Sequence, residues 1–359
     1  MIKIDSSRPV VLIGAGQLGK MAIALWPQAL DKPLFFLDEN TNATINGIPV
    51  YKTTNHKPDP SIQYVLSFFK SDPKVIKELF NNFLQQEIIT IYDLLTQSNS
   101  DLFSNGWSGN STNLLQAVNN IEYFSDYSSK SIYRSVLNWR YHRVLDDSIP
   151  SPEQDKYNLK KFGGKHSYYD LVIDGGSYDF SFPLSLLDLQ ISWGELTAIE
   201  PDSVSQLEVN RQIDMIQKKY RNLGECRFEK RALWRTNQGA YFYQNGLLSA
   251  RIARGLDKTC KLTETVTLEE ILSDKIKGKK DKVLTKLHVE GAEWPIIESS
   301  TNLLKQDYLH DMLINLSHDE ESLIKIPKAL YETGKFDLFL HSHSLFGEGL
   351  TLFARRKMG

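Results

Sequence analysis

Asp170-Leu171-Val172-Ile173-Asp174-Gly175-Gly176-Ser177-Tyr178-Asp179 is a short apolar run that ends in a carboxylate and two glycines. The run lacks polar alternation, so it reads as a strand buried on both faces. An acidic end followed by glycines lets the backbone approach a small ligand at the strand's carboxyl end, where open α/β sheets bind their ligands. Two later runs end in the same way, one in Ile199-Glu200-Pro201 and one in Val289-Glu290-Gly291. The three ends are expected to form one site.

Working outward, strand patterns recur at 171–174, 196–200, 226–233, 283–289, 312–316, 336–340 and 350–354. Between the second and third, a helix carries Val209, Ile213, Ile216 and Tyr220 on one face. Such alternation predicts a mostly parallel sheet with helices on both faces. The last two strands, joined by a Ser/Gly-bearing loop, predict a terminal antiparallel hairpin. A seven-stranded α/β domain is therefore expected over 157–359.

The strand ends offer carboxylates and close backbone but no lysine-rich phosphate loop. That suits a ligand with a positive charge, an amino-acid tail and a ribose diol, such as S-adenosylmethionine. Asp174, Gly175, Gly176 and Ser177 would face the methionine portion. Glu200 can accept bonds from both ribose hydroxyls. Ala232, within Arg231-Ala232-Leu233, would flank the adenine.

The N-terminal third carries its own strand–turn–helix signal. Val10-Val11-Leu12-Ile13 leads into Gly14-Ala15-Gly16-Gln17-Leu18-Gly19, and a second strand ends in Asp38 about twenty residues on. This is a Rossmann-like pattern, expected over 1–100. Gly14, Gly16, Gly19 and Asp38 are its candidate nucleotide ligands, although the same glycines also serve close helix packing alone. A strand at 64–68 and a helix opened by Asp72-Pro73, with Ile76, Leu79, Phe80 and Phe83 on one face, would follow. Phe35-Phe36-Leu37-Asp38-Glu39-Asn40 and Ile45-Asn46-Gly47-Ile48-Pro49-Val50 resemble the N-terminal domain of bacterial sugar-nucleotide acetyltransferases, which implies a nucleotide sugar there. Residues 101–156 read as a helical linker layer covering one edge of the second sheet. The other reading places Arg134, Arg140 or His142 over the mouth of the site, holding an anionic acceptor.

Length and composition set the outer bounds. A chain of 359 residues predicts two domains, and 41% hydrophobic with 24% charged residues is a globular composition. A net charge of -2 gives no global attraction for nucleic acid. The two cysteines, Cys226 and Cys260, form no ligand cluster and suit a reducing compartment. No apolar run approaches the ~20 residues of a membrane span, and Met1-Ile2-Lys3-Ile4-Asp5 begins no signal peptide. A cytoplasmic protein is expected; its oligomeric state is not readable.

A family resemblance sharpens the C-terminal reading. Lys286-Leu287-His288-Val289-Glu290-Gly291-Ala292-Glu293 resembles the K-x-D-V-E-G-A-E signature of FkbM-type methyltransferases. Asp174 to Asp179 resembles that family's D-x-G-A-x-x-G loop, Ile199-Glu200-Pro201-Asp202 its E-P strand end, and Thr267 to Leu272 its T-L-D-x-L-L segment. The segments at 316–318, 326–327, 341–344 and 350–354 are similar to its C-terminal pattern. The resemblance implies a class I methyltransferase fold and an S-adenosylmethionine-dependent O-methyltransferase. Its acceptor would be a sugar, glycan or similar hydroxyl, as in bacterial surface polysaccharide biosynthesis. The candidate general bases are His318 and His343, which sit where the family's histidines do, then His288 and Glu290, with His341 beside them. Lys286 and Glu293 are expected to fix the fourth strand's end or the acceptor.

Two positions depart from the pattern. His288 stands in place of the family's Asp, which predicts no metal, since one imidazole beside Glu290 is a poor cage for magnesium. Phe180 replaces the glycine that closes the first loop and is expected to crowd the cofactor's tail. The competing functional readings are an inert nucleotide-sugar-binding or scaffold protein and an NAD-dependent oxidoreductase.

Overall fold

The computed structural model describes residues 3–24, 26–28, 30–40, 44–68, 89–95, 111–142, 144, 155–221, 223–243, 251–252, 260–276, 278, 281–344 and 349–357. The helix expected after Asp72-Pro73 lies outside them.

Among the described residues the first sheet has five parallel strands. They are β1 (Val10–Ile13), β2 (Phe36–Leu37), β3 (Val50–Tyr51), β4 (Gln63–Leu66) and β5 (Ile89–Thr90), in the order β3-β2-β1-β4-β5. Helix α1 (Gln17–Ala24) follows the glycine turn, and α2 (Ile91–Leu95) follows β5. The expected strand at 64–68 is shifted to begin at Gln63, whose amide bonds the Asp5 and Arg8 carbonyls and ties the sheet to the N-terminal segment.

The second sheet has seven strands: β6 (Tyr168–Gly175), β7 (Ser192–Ile199), β8 (Glu225–Glu229), β14 (Val283–Leu287), β15 (Leu309–Asn315), β16 (Phe336–Ser342) and β17 (Leu350–Arg356). Their order is β16-β17-β15-β14-β6-β7-β8, with β17 alone antiparallel to its neighbours. This is the α/β architecture with the terminal hairpin that the strand pattern predicts. The chain runs outward from β6 in one direction through β7 and β8, then returns to place β14 on the other side of β6. The gap between β6 and β14 is a topological switch point, where ligand crevices open. Register aligns the ends there: Lys286 lies opposite Asp174, and Gly175 lies opposite both Leu287 and Ile199.

The strand expected at 226–233 breaks in two. Arg231 turns aside to pair with Glu229 and Glu270, at 2.8 and 2.7 Å. Beyond it, β9 (Ala232–Leu233) leaves the sheet and pairs instead with β13 (Thr265–Val266). Between these, β10 (Ala240–Tyr243), β11 (Arg251–Ile252) and β12 (Cys260–Thr263) form a small antiparallel sheet.

Helices cover both faces of the large sheet, and their starts are written in the sequence. Asp202 caps α6 (Ser203–Lys219) by accepting from Ser205 N, and Thr267 caps α7 (Leu268–Lys275) by accepting from Glu270 N. Val209, Ile213 and Ile216 are buried on α6 as their spacing predicts, whereas Tyr220 ends the helix 38% exposed.

The intervening layer holds α3 (Ser111–Asn119) and α4 (Tyr127–His142). Phe124 bridges Leu338 of the edge strand β16, and the Ser125 and Ser129 hydroxyls accept from Leu338 N and Leu340 N at 3.0 and 2.8 Å. An uncovered edge would offer those N–H groups to a foreign strand, so the two serines close it. Trp139, on the same helix, packs into the core of the first sheet. Both cysteines are free, and burial pushes the Cys226 thiol up to about 11, which leaves it inert.

Candidate functional site

A cavity of about 570 Å³ opens at the carboxyl ends of β6, β7 and β14, within the 300–1,000 Å³ usual for small-molecule sites. Gly176 and Ser177 form one wall, with Ile199 and Glu200 beside them. Ala232, Leu233, Phe242 and Ile252 form an apolar side, and Tyr157, Lys286, His288 and Glu290 close the other.

The glycine turn is built for close approach. Gly176 has φ +76°, and a Cβ there would collide with the His288 carbonyl oxygen, so no side chain fits. Asp174 is fully buried beneath the turn and does not line the cavity. Its carboxylate lies 2.8 Å from Ser177 Oγ and 3.0 Å from Lys286 Nζ. Lys286 in turn donates to the Gly175 and Gly176 carbonyls, at 3.1 and 2.6 Å. Asp174 therefore shapes the turn through Ser177 and Lys286, and only Gly176 and Ser177 of its four-residue motif reach the wall.

Phe180 does not crowd the site. It sits at the first turn of α5 (Ser181–Asp188) with φ +64°, the left-handed conformation that a glycine would supply. That geometry turns the ring away from the cavity into the core with Phe182, Leu186 and Trp193, where it is fully buried. The expectation of a narrowed cofactor tail fails because the chain keeps the glycine-like backbone and redirects the side chain. The cost of the left-handed residue, ~1–2 kcal/mol, is offset by burying a phenyl ring worth ~1.5–3 kcal/mol.

Glu200 is 6% exposed and faces the cavity. Its Oε2 accepts from Tyr178 N and its Oε1 from Asp202 N, both at 2.9 Å. Each oxygen keeps a second lone pair. Burial pushes its pKa up to about 7; the two backbone donors and Lys286 oppose the shift, and Asp202 adds to it. Arg231 points away, whereas its neighbours Ala232 and Leu233 line the wall.

His288, Glu290 and His318 converge. Glu290 Oε1 lies 3.4 Å from His288 Nε2 and 3.3 Å from His318 Nε2, and one ligand-type atom from each residue falls within 4.8 Å of the others. Glu290 has φ +52°, a left-handed position rare for glutamate, followed by Gly291 at +96°. The fully buried Glu293 carboxylate lies 2.7 Å from His318 Nδ1 and accepts from Val289 N and Gly291 N, at 2.9 Å each. Burial disfavours charge on His318, but Glu290 and Glu293 outweigh it and hold its pKa well above the ordinary value. Burial and Lys156 hold His288 well below its own. Burial would raise Glu290, yet His318 and His288 keep its carboxyl well below the carboxylate range. Near neutral pH the cluster is thus a neutral His288 and a charged His318 around an ionised Glu290.

The other predicted bases lie apart. His341 and His343 are on and just beyond β16, with rings 6.4 Å from each other, and neither lines the cavity. His343 N donates to Gly349 O, and burial with Lys161 pushes His341 down to about 4. The structure thus brings His288, Glu290 and His318 together and leaves His343 two strands away. Arg134, Arg140 and His142 also lie outside the cavity wall, on the helix that covers the β16 edge. Sequence reading passed over the bond from Glu293 to His318, although Val289-Glu290-Gly291 wraps one carboxylate four residues on. It also passed over Tyr157, Phe242 and Ile252, which reach the cavity from segments with no motif.

At the N-terminal turn Gly14 and Gly19 are closely packed. A Cβ at Gly19 would strike the Gly14 carbonyl, and one at Gly14 would meet Phe68 and Ser67. Asp38 Oδ2 accepts from Ala15 N at 2.8 Å, so this carboxylate braces the turn itself. Gly16 alone has open space around it.

No family model matches the chain, and no curated protein matches it. Among solved structures, the methyltransferase FkbM from Methylobacillus flagellatus KT is similar with a TM-score of 0.67 at 11% identity, over 97% of this chain and 90% of that one. The N-terminal domain of human METTL16 matches at a TM-score of 0.31 and 12% identity, over 71% of this chain and 96% of that one. Only the first is a close enough superposition to carry weight. At this identity it is a likeness of fold: the chain has the fold of a class I methyltransferase.

Proposed function

We propose that this chain is an S-adenosylmethionine-dependent methyltransferase that acts on a hydroxyl of a sugar, glycan or similar acceptor. The observation that carries the reading is Glu200. It is a buried carboxylate with both oxygens oriented by backbone N–H groups, facing the cavity beside a turn that only glycine can make.

The residues present fit the cofactor. The free lone pairs of Glu200 suit a ribose diol, Gly176 and Ser177 offer backbone to an amino-acid tail, and Ala232, Leu233, Phe242 and Ile252 offer an apolar slot for a base. Glu200 and Glu290 both line the cavity, and two carboxylates there favour a positively charged group. When bound, S-adenosylmethionine supplies an electrophilic methyl group.

The chain's own residues do the rest. An acceptor hydroxyl entering beside β14 meets His288, held neutral and able to take its proton. Glu290 stabilises the imidazolium that results. Glu293, through His318, fixes Glu290's position, and the long Tyr157 Oη contact to His288 Nδ1, 3.5 Å, steadies the ring. Alignment of acceptor and cofactor in one walled cavity provides the remaining acceleration. On this reading residues 157–359 carry the transferase, residues 101–156 buttress it, and residues 1–100 form a separate Rossmann-like unit.

The acceptor class is tested with methyl-labelled S-adenosylmethionine and a panel of sugars, nucleotide sugars, glycans, peptides and nucleic acids. Label should enter carbohydrate hydroxyls. Label appearing only in peptide or nucleic acid would sink the acceptor assignment and leave the cofactor assignment standing.

A further inference from the structure

The geometry points to a site for a divalent transition-metal ion, of the zinc or manganese class, held by His288, Glu290 and His318. Three features of the cluster support it. The first is spacing. Ligands on a tetrahedral ion with bonds of about 2.1 Å stand roughly 3.4 Å apart, and Glu290 Oε1 lies 3.4 and 3.3 Å from the two imidazoles. The second is the outer support. His318 Nδ1 faces Glu293 at 2.7 Å, and Glu293 is itself anchored by two backbone N–H groups and fully buried. A carboxylate behind a histidine fixes which ring nitrogen turns inward and raises its basicity as a ligand. The third is the backbone. Glu290 is held at φ +52°, a strained position that aims its carboxylate between the rings.

The donor set selects the ion. Two imidazoles and one carboxylate suit zinc, manganese, iron or cobalt, whereas magnesium and calcium favour oxygen shells. The expectation of no metal rested on His288 and Glu290 alone; the fold adds His318 as a third donor. His288 and Glu290 line the cavity, so the remaining position on the ion faces the acceptor. With the ion bound His288 is its ligand and no longer the base; an acceptor hydroxyl placed there would instead be acidified by the ion and lose its proton to solvent. One local contact must yield. Asn315 Nδ2 lies 3.0 Å from His288 Nε2, its amide oriented by Oδ1 accepting from Ser317 N and Oγ. Only the ion's role toward the acceptor rests on the methyltransferase reading; its binding does not.

The test uses the full chain, stripped with EDTA and titrated calorimetrically with ZnCl2, MnCl2 and MgCl2, and separately with S-adenosylmethionine. One zinc or manganese ion per chain is expected, with magnesium at least about 100-fold weaker. His288→Ala and Glu290→Gln, each removing a direct ligand, should weaken the ion by more than the roughly 10–100-fold that loss of an outer partner costs. Cobalt(II) should give the visible absorption of a low-coordinate site in the parent chain and none in the variants. Circular dichroism of each variant separates lost ligands from lost fold. Zinc binding that is absent, or equally strong in a folded His288→Ala protein, overturns the proposal. In either case S-adenosylmethionine binding to the stripped chain reports on the methyltransferase reading independently.

Discussion

Lowering the pH from 8 to 6 should weaken S-adenosylmethionine binding about tenfold while it stabilises the free protein. Both effects come from Glu200. Its free-state pKa of about 7 arises first from burial, with Asp202 pushing the same way and Lys286 and two backbone donors against it. Ribose hydroxyls donate to the carboxylate, so the complex requires the ionised form. Binding then falls as 1 + 10^(7 − pH), about elevenfold at pH 6 and negligibly at pH 8, or ~1.4 kcal/mol between them. Stability runs the other way. The folded pKa lies above the ordinary 4.5, so the native state holds more protons than the unfolded chain between those values. Stability therefore falls as pH rises from about 4.5 to about 7, by roughly 3 kcal/mol in all, and is level above. Calorimetry at pH 6, 7 and 8, in buffers of different ionisation enthalpy, should show close to one proton released per ligand at pH 6 and almost none at pH 8. Glu200→Gln should lose two charge-assisted bonds of ~1.5–3 kcal/mol each and bind without this pH dependence. Affinity that is flat from pH 6 to 8, or a Gln variant that binds like the parent, would refute the reasoning.

Phe180→Ala should cost ~3–5 kcal/mol of stability as a core truncation, and Phe180→Gly about 1 kcal/mol less than the alanine, because glycine relieves the left-handed backbone. Urea midpoints of the two variants check this, and a glycine variant less stable than the alanine one would contradict it. Ser129→Ala leaves the Leu340 N–H of the edge strand without its acceptor, at a cost of ~1–3 kcal/mol. Hydrogen exchange should quicken at Leu340; unchanged protection there would show that the serine does not close the edge.

Much of the second sheet could be read directly, because strands buried on both faces leave continuous apolar runs and their acidic ends are short and local. The hairpin of β16 and β17 was visible for the same reason. The break at Arg231 was not, since it depends on Glu270, which is remote in sequence. Phe180 misled because the glycine pattern records a backbone conformation, and this chain keeps that conformation without the glycine. The histidines show the limit most clearly. His318 and His343 both follow strand ends, but β17 inserts between β15 and β16 and carries His343 away from the cluster. That insertion is a property of strand order, which no local motif encodes. Asp38 likewise occupies the expected position, and its carboxylate braces the loop itself, accepting from Ala15 N and Asn40 N.

A structure of the chain grown with S-adenosylhomocysteine tests the central claim most directly. The account predicts the ligand between Gly176 and Ala232, with both ribose hydroxyls on Glu200 and the sulfur facing His288 and Glu290. Ligand bound elsewhere, or a diol held by any residue other than Glu200, would contradict it.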